Sequence, residues 1–296
     1  MKKIVGLGAC VYDTLISCGK FPEEDKKQKA ESVFVSGGGP VGNALVIASK
    51  LGVKTEVLGT FSDDDAGKYL IADFNKYGVK TDNVKIVKGA KSFISFVILS
   101  RENKTRTCVF ERGNVPDNPT DVDLNAIKGA DILHLDGNYL ESAIFAAKFA
   151  KENGVTTSLD AGGLYDGIER LLPYIDILIP SAEFAKGLTK SDDIETAMKK
   201  IISLYSPKVL VVTDGANGGY YYENGIISHY DGVKVNAVDT NGAGDTFHGA
   251  FLAAYCDGKN VTGCCEFASK VAAYKCTQKG VRTYLLNKDS ILHILV

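Results

Sequence analysis

Over most of its length the chain alternates short aliphatic runs with longer stretches of helical period. The runs at 3–8, 55–59, 131–135, 156–160, 175–179 and 209–213 are too short for ordinary helices. They are rich in Ile, Val and Leu, as strands buried on both faces are. Between them the stretches 43–51, 66–77, 142–153, 194–204, 245–255 and 263–277 read as amphipathic helices. In the first of these, Ala44, Ile47, Ala48 and Leu51 form one apolar stripe. This alternation predicts an α/β fold, a mostly parallel central sheet with helices on both faces. Two segments, approximately 10–35 and 92–112, break the rhythm with apolar and polar residues in turn, as in Ser92-Phe93-Ile94-Ser95-Phe96-Val97. They are expected to form a small antiparallel β-sheet off the main body, suited to be a lid. No Pro-, Gly- or Ser-rich linker interrupts the chain, so residues 1–296 are expected to be one domain carrying that lid.

Composition narrows the function classes. Apolar residues make up 45% and charged residues 24%, which excludes collagen, coiled coil and disorder. Lys and Arg number 34 against 36 Asp and Glu, so there is no basic footprint for nucleic acid and no polybasic membrane patch. Lys2-Lys3 before an apolar stretch and Cys10 mimics a lipoprotein leader. That stretch is only a few residues long and is expected to be the first buried strand. The 7 cysteines include the adjacent pair Cys264 and Cys265 and no Cys-x-x-Cys. Free thiols in a reducing, cytoplasmic setting are expected.

Several familiar chemistries are missing. Gly6-x-Gly8 lacks a third glycine, because position 11 is Val11. There is no P-loop, no Gly-x-Ser-x-Gly elbow and no His-Glu-x-x-His. The four histidines, His134, His229, His248 and His293, are scattered and are expected to be satisfied structural residues.

Two strings carry chemistry. In Val238-Asp239-Thr240-Asn241-Gly242-Ala243-Gly244-Asp245, three small residues bare the backbone just before a helix. Helix N-termini present unpaired N–H groups and a partial positive charge, so this turn can be an anion hole. Asp245 beside it can take the proton of an attacking alcohol as a phosphoryl group moves. The helix dipole is expected to keep that carboxylate ionised. The simpler role is that Asp245 caps the helix. The second string is Ser36-Gly37-Gly38-Gly39-Pro40-Val41-Gly42-Asn43. Its glycines permit close backbone approach to a ligand, and Asn43 can both donate and accept, as a polyol requires. The simpler role is a plain loop with Asn43 as helix cap.

Together the two strings closely resemble the signatures of the ribokinase-like (pfkB) carbohydrate kinases, and the likeness covers nearly the whole chain. Ser62-Asp63-Asp64-Asp65-Ala66-Gly67 resembles that family's Asp-rich turn, where helix capping is expected. Thr213-Asp214-Gly215-Ala216-Asn217-Gly218 is similar to its strand end along the ATP phosphates. The resemblance implies Asp245 as catalytic base, with Gly242, Ala243 and Gly244 as anion hole. It implies Asp13, Gly38, Gly39 and Asn43 at the sugar, and Thr213, Gly215, Gly218, Gly242 and Gly244 at ATP. It also implies Mg²⁺, a monovalent cation such as K⁺ near Asp239, and a homodimer paired through the lid. The family's Asn-x-x-Glu is replaced here by Ser181 and Phe184, with Glu183 one place early as the metal-binding carboxylate.

The segments 20–25 and 271–280 resemble the ketohexokinase branch. The triple glycine before Pro40, the string 247–250 and Lys275-Cys276-Thr277 before Gly280 resemble the sulfofructose kinase branch. Both imply transfer from ATP to a primary hydroxyl of a fructose-like ketose. An anionic tail on that sugar needs cations at the lid mouth, for which Lys26, Lys27, Arg106 and Arg112 are available. Lys27 and Arg106 are taken as substrate contacts, and Arg106 could instead face phosphate. A nucleoside kinase of the same family is the alternative, with Phe34, Phe93, Phe96 and Phe110 lining an aromatic pocket. So is a non-catalytic sugar- or nucleotide-binding protein, against which the intact Asp245 and Gly-Ala-Gly argue.

Overall fold

The aliphatic runs pair side by side as parallel strands. In a computed structural model, which describes residues 1–103, 105–284 and 286, they form β1 (Lys3–Leu7), β4 (Lys54–Val57), β10 (Ile132–Leu135), β11 (Thr156–Ala161), β12 (Ile177–Pro180) and β13 (Val209–Thr213). With β6 (Val79–Lys80), β14 (Gly219–Glu223) and β15 (Ile226–Tyr230) they make a nine-stranded sheet. Its order is β15-β14-β13-β12-β11-β10-β1-β4-β6, parallel except for the β13-β14-β15 edge. A separate pair joins β5 (Gly59–Ser62) to β7 (Val84–Val87).

Period-two alternation decides which helices cover which face. Ile4, Ile132, Ile177 and Ile179 pack into one core with α1 (Pro40–Lys50), α2 (Asp65–Lys76), α7 (Ala243–Cys256) and α8 (Val261–Cys276). Val5, Leu133 and Leu178, one residue along, enter the opposite core with α3 (Leu124–Lys128), α4 (Leu140–Glu152), α5 (Ala182–Thr189) and α6 (Ile194–Tyr205). Among the described residues no helix is long and apolar enough to cross a membrane. All seven cysteines are free thiols. His293 lies outside the described residues.

The two alternating segments supply β2 (Val11–Cys18), β3 (Ser32–Gly38), β8 (Ile94–Ser100) and β9 (Thr105–Glu111), a four-stranded sheet ordered β3-β2-β8-β9. Its outer pairs are antiparallel, and the central pair, β2 with β8, is parallel. Register puts Asp13, Ser95 and Phe110 in one row. The next row carries Phe96 and Val109 on the other face, which Val33 shares two residues further along, and there Phe96 is 45% and Val109 61% exposed.

Two features escaped the rhythm. Helix α5 is only eight residues long and starts at once after β12, with Ser181 capping it through the Phe184 amide at 3.1 Å. So short a stretch shows no clear period. The β14–β15 hairpin turns on Asn224-Gly225, both with positive φ (52° and 85°). That dipeptide between apolar runs is a strong hairpin signal.

One guanidinium knits α1 and α2, on one face of the main sheet, to the end of β3 in the small sheet. Arg282 is fully buried. Its Nη1 donates to Asp73 at 2.7 Å, its Nη2 to the Gly38 carbonyl at 2.9 Å and its Nε to Asn43 at 2.8 Å. It stacks 5.0 Å above the Phe74 ring. A Cβ on Gly37 would lie 2.1 Å from Nη1, and one on Gly42 2.6 Å from Nη2. Arg282→Ala should strand the buried Asp73 carboxylate and cost about 3–5 kcal/mol in urea unfolding. Arg282→Lys should recover little, because an ammonium cannot reproduce the planar fork. A loss below about 1 kcal/mol for Arg282→Ala, the range of an exposed ion pair, would disprove this role.

Candidate active site

The polar side chains that survive burial collect where the parallel strands end at their carboxyl termini, as open α/β sheets arrange their ligand crevices. Asp245 lies in the first turn of α7. Gly242, in the left-handed region at φ 69°, is the N-cap of that helix, and no side chain caps it. Asp245 is therefore not a cap. Its Oδ2 accepts from Asn43 Nδ2 at 2.6 Å. Asn43 is not a cap either: it sits inside α1, whose N-cap is Gly39. Its amide oxygen is taken by Arg282 Nε.

Asp13 Oδ1 accepts from Ser95 Oγ at 2.6 Å. Burial pushes its pKa up to about 6; Ser95 and Arg282 oppose the shift and the charge on Asp245 adds to it. The space beside Gly38 belongs to this carboxylate, since a Cβ there would lie 1.9 Å from Asp13 Oδ2. Gly39, at φ 88°, approaches the Ala9 carbonyl, 2.2 Å from where a Cβ would stand. The close approach these glycines permit is thus to the protein's own Asp13, Arg282 and main chain.

Four further groups were not anticipated. Asp136, just past β10, accepts from the amides of Ala9 (2.8 Å), Val41 (3.3 Å) and Asn138 (3.0 Å). Burial raises its pKa to about 6. Asp160, at the end of β11, lies 3.2 Å from His248 Nε2, and despite burial His248 holds its carboxyl below the usual range. The His134 ring packs 5.8 Å from His248, and burial pushes its pKa down to about 3. Contrary to expectation these two histidines are not fully satisfied: His134 Nε2 and His248 Nδ1 have no hydrogen-bond partner among the described residues. The available signal was an Asp closing a short aliphatic run, in Leu135-Asp136-Gly137 and Leu159-Asp160-Ala161. The expectation for Asp245 also needs correcting. Burial first, and then Asp160, push its pKa up and outweigh the Asn43 hydrogen bond and the charges of His248 and Arg106.

Next to this cluster a cavity of about 400 Å³ is lined by Thr213, Gly215, Gly218, Ala243, Gly244 and Phe247. Gly242 is not part of its wall; the hydrogen that a Cβ would replace faces Val281. Across Ala237 and Thr240 a second cavity of about 390 Å³ opens toward Arg106, Asp239 and Lys279. Arg106 donates from β9 to the Asn241 side chain, beside the Gly242 turn. Its guanidinium therefore stands beside the turn that opens α7. Lys27 is exposed in the loop between β2 and β3. Arg112, by contrast, donates to the Asn138 carbonyl (3.0 Å) and side chain (2.8 Å) and lies 5.7 Å over the Phe93 ring. Glu183 is exposed in the first turn of α5. Among the described residues no three His, Cys, Asp or Glu side chains gather as a metal centre.

The sequence pattern of the pfkB family carbohydrate kinases matches residues 1–288. The chain belongs to that family. It is accordingly a phosphotransferase with an alcohol acceptor. An ATP-dependent ribose-1-phosphate kinase of Halopiger xanaduensis is 26% identical over 286 residues, 96% of this chain and 95% of the relative. A fructokinase of Solanum tuberosum is 30% identical over 279 residues, 87% and 86% of the two chains. The solved structure of Arabidopsis thaliana ribokinase, in complex with ribose and ATP, superimposes with a TM-score of 0.86 at 27% identity, covering 99% and 98%.

The two glycines of the α7 turn should respond oppositely to the same change. Among the described residues nothing outside its own helical turn lies within 4 Å of a Cβ built on Gly244, so Gly244→Ala should stabilise the kinase by about 0.4–1 kcal/mol. Gly242→Ala meets Val281 at 2.4 Å in a left-handed conformation and should destabilise it by more than that. Thermal midpoints of the two variants check the pair; a drop for Gly244→Ala would mean that its surroundings are not open.

Proposed function

We propose that this kinase transfers the γ-phosphoryl group of ATP to a primary hydroxyl of a fructose-like ketose with an anionic tail. The observation that carries the reading is Asp245, held by Asn43, between the Asp13 carboxylate and a glycine-lined cavity that opens on the N-terminus of α7. ATP lies in that cavity along Thr213, Gly215 and Gly218, with its γ-phosphate at Ala243 and Gly244. The cavity fits the nucleotide because a stripped backbone and a helix N-terminus offer N–H groups to phosphate. Mg²⁺ neutralises charge on the β- and γ-phosphate oxygens. Such an ion keeps most of its ligands from phosphate and water and needs one or two carboxylates at most, so the lack of a protein cage suits it. Glu183 is the carboxylate that α5 offers.

Asp13 and the acceptor loop 38–43 grip the sugar hydroxyls. Asp245 accepts the proton as the alcohol attacks, and its raised pKa makes the ionised carboxylate a stronger base at that moment. Arg106 and the small residues 242–244 stabilise the charge that develops on the transferred group.

An anionic tail finds its cation in Arg112 rather than Lys27, because Arg112 is fixed on Asn138 beside the end of β10. The ribose-1-phosphate kinase relative acts on a sugar that already carries a phosphate, and the fructokinase relative on fructose, which supports both halves of the reading. The nucleoside reading loses ground. Phe96 belongs to the outer face of the small sheet, and Phe93 carries Arg112. We further propose that residues 1–296 act as one kinase domain whose lid is 10–35 with 92–112. Its uncovered apolar face, with Val33, Phe96 and Val109, supports pairing of two copies into a homodimer.

Release of ADP across a panel of acceptors tests the substrate. The 6-phospho and 6-sulfo forms of fructose should exceed neutral fructose in kcat/KM. Arg112→Ala should raise KM for the anionic sugars by roughly 10–150-fold, the worth of a charge-assisted hydrogen bond, and spare neutral fructose. Preference for neutral fructose, or for nucleosides, would remove the anionic tail from the reading.

Asp245→Asn keeps the size of the side chain and its place beside Asn43. It should fold with an unchanged thermal midpoint and bind ATP at least as tightly, yet lose ~10²–10⁴ in kcat. A folded, ATP-binding variant that keeps more than about a tenth of the wild-type rate would mean that the proton goes elsewhere.

A further inference from the structure

The resemblance to the pfkB kinases implies a monovalent cation on the loop around Asp239, and the residues there do not fit one. Lys275, in the last turn of α8, has no exposed surface. Its Nζ donates to the main-chain carbonyl of Asp239 at 2.7 Å and stands 3.4 Å from Asp239 Oδ2. A bare K⁺ is held by oxygens of this kind, carbonyls above all. Here a carbonyl and a carboxylate are already engaged by a cation attached to the chain. The loop is closed around it. Asp239 Oδ2 also accepts from the Gly280 amide at 2.9 Å and Oδ1 from the Asn241 amide at 2.8 Å. The amides of Val238 and Asp239 both donate to the Cys276 carbonyl, at 2.7 and 3.1 Å.

We infer that the Lys275 ammonium is the built-in monovalent cation of this kinase, pinning the loop 238–241 to the end of α8 so that the enzyme needs no K⁺. A buried ammonium is tolerated only where it is paired and hydrogen-bonded, and Asp239 supplies both. Burial pulls the Lys275 pKa down while Asp239 pulls it back up. The loop runs directly into the turn 242–244, and the Ala243 amide donates back to the Thr240 carbonyl at 3.3 Å. Lys275 is thus a positioning residue that acts through the backbone of the turn. This rests on the reading of that turn as the phosphate site.

The test compares KCl, NaCl and tetramethylammonium chloride at one ionic strength. The wild-type rate and thermal midpoint should agree among the three salts. Lys275→Ala vacates the ammonium position. Its rate should fall at least about tenfold in tetramethylammonium, as misplaced catalytic groups do, and K⁺ should restore most of it. K⁺ should also raise the midpoint of this variant with saturation, as a ligand of the folded state does, and leave the wild type unmoved. Lys275→Met fills the same space without a charge and should be slow in every salt. A wild type that K⁺ activates several-fold overturns the inference. So does a folded Lys275→Ala whose rate and midpoint respond to K⁺ no differently from the wild type. If Lys275→Ala does not fold, the wild-type comparison decides alone. Failure to phosphorylate any acceptor would sink the reading of the site but leave the midpoint measurements to judge the cation.

Discussion

Asn43 is held at both ends of its amide, donating to Asp245 at 2.6 Å and accepting from Arg282 at 2.8 Å. A guanidinium can only donate and an ionised carboxylate can only accept, so the two neighbours fix which way the amide points. Arg282 is fixed in turn by Asp73 and the Gly38 carbonyl. The chain Asp73–Arg282–Asn43–Asp245 therefore sets the relation of α2, the acceptor loop, α1 and α7 to one another. It works only because the two helices lie close. A Cβ on Gly249 of α7 would stand 2.4 Å from the Ala44 carbonyl of α1.

The same crevice concentrates acids. Asp13, Asp136 and Asp160 lie in or just past strands and Asp245 at the start of α7, and burial works against the charge on each. Asp160 stays low because His248 lies against it, and its charge then helps to raise Asp245. Separating neighbouring carboxylates in this way is how one site acquires a carboxylate that stays ionised and another that is a stronger base. His248 sits three residues after Asp245, so one face of the first two turns of α7 carries both Asp245 and the partner of its neighbouring acid Asp160.

What could be read in the sequence was local. The parallel strands declared themselves as aliphatic runs, and α7 with its bare turn as a glycine string. The role of Arg282 could not be read, because its partners Asp73, Asn43 and Gly38 are 209, 239 and 244 residues away. Without it the glycines 37–42 look reserved for a ligand, whereas Gly37 and Gly42 leave room for this guanidinium and Gly38 for Asp13. His134 and His248 looked unrelated for the same reason: only the parallel register of β10 with β11 and the return of α7 bring them together. Arg106 and Arg112 could not be told apart as cations of one strand and its end. The fold separates them, one to Asn241 beside the turn that opens α7 and the other to Asn138.

The loop 231–242 between β15 and α7 has no helix or strand, yet it leads directly into the turn of small residues that opens α7. Its backbone groups have to be satisfied by something outside it. The end of α8 does this for part of the loop, through the Cys276 carbonyl and Lys275 Nζ, and the Gly280 amide just after it holds the Asp239 side chain. Two residues past Gly280, Arg282 reaches the opposite side and holds Gly38 and Asn43. A single stretch, 275–282, thus grips the loops on both sides of Asp245, each through a buried cation. In-line transfer requires the attacking oxygen, the phosphorus and the leaving oxygen to be aligned, and small errors of placement are costly. With the sugar and the phosphate placed as proposed, two segments far apart in the chain would keep that alignment because neither is anchored on its own: the same short stretch sets the position of both.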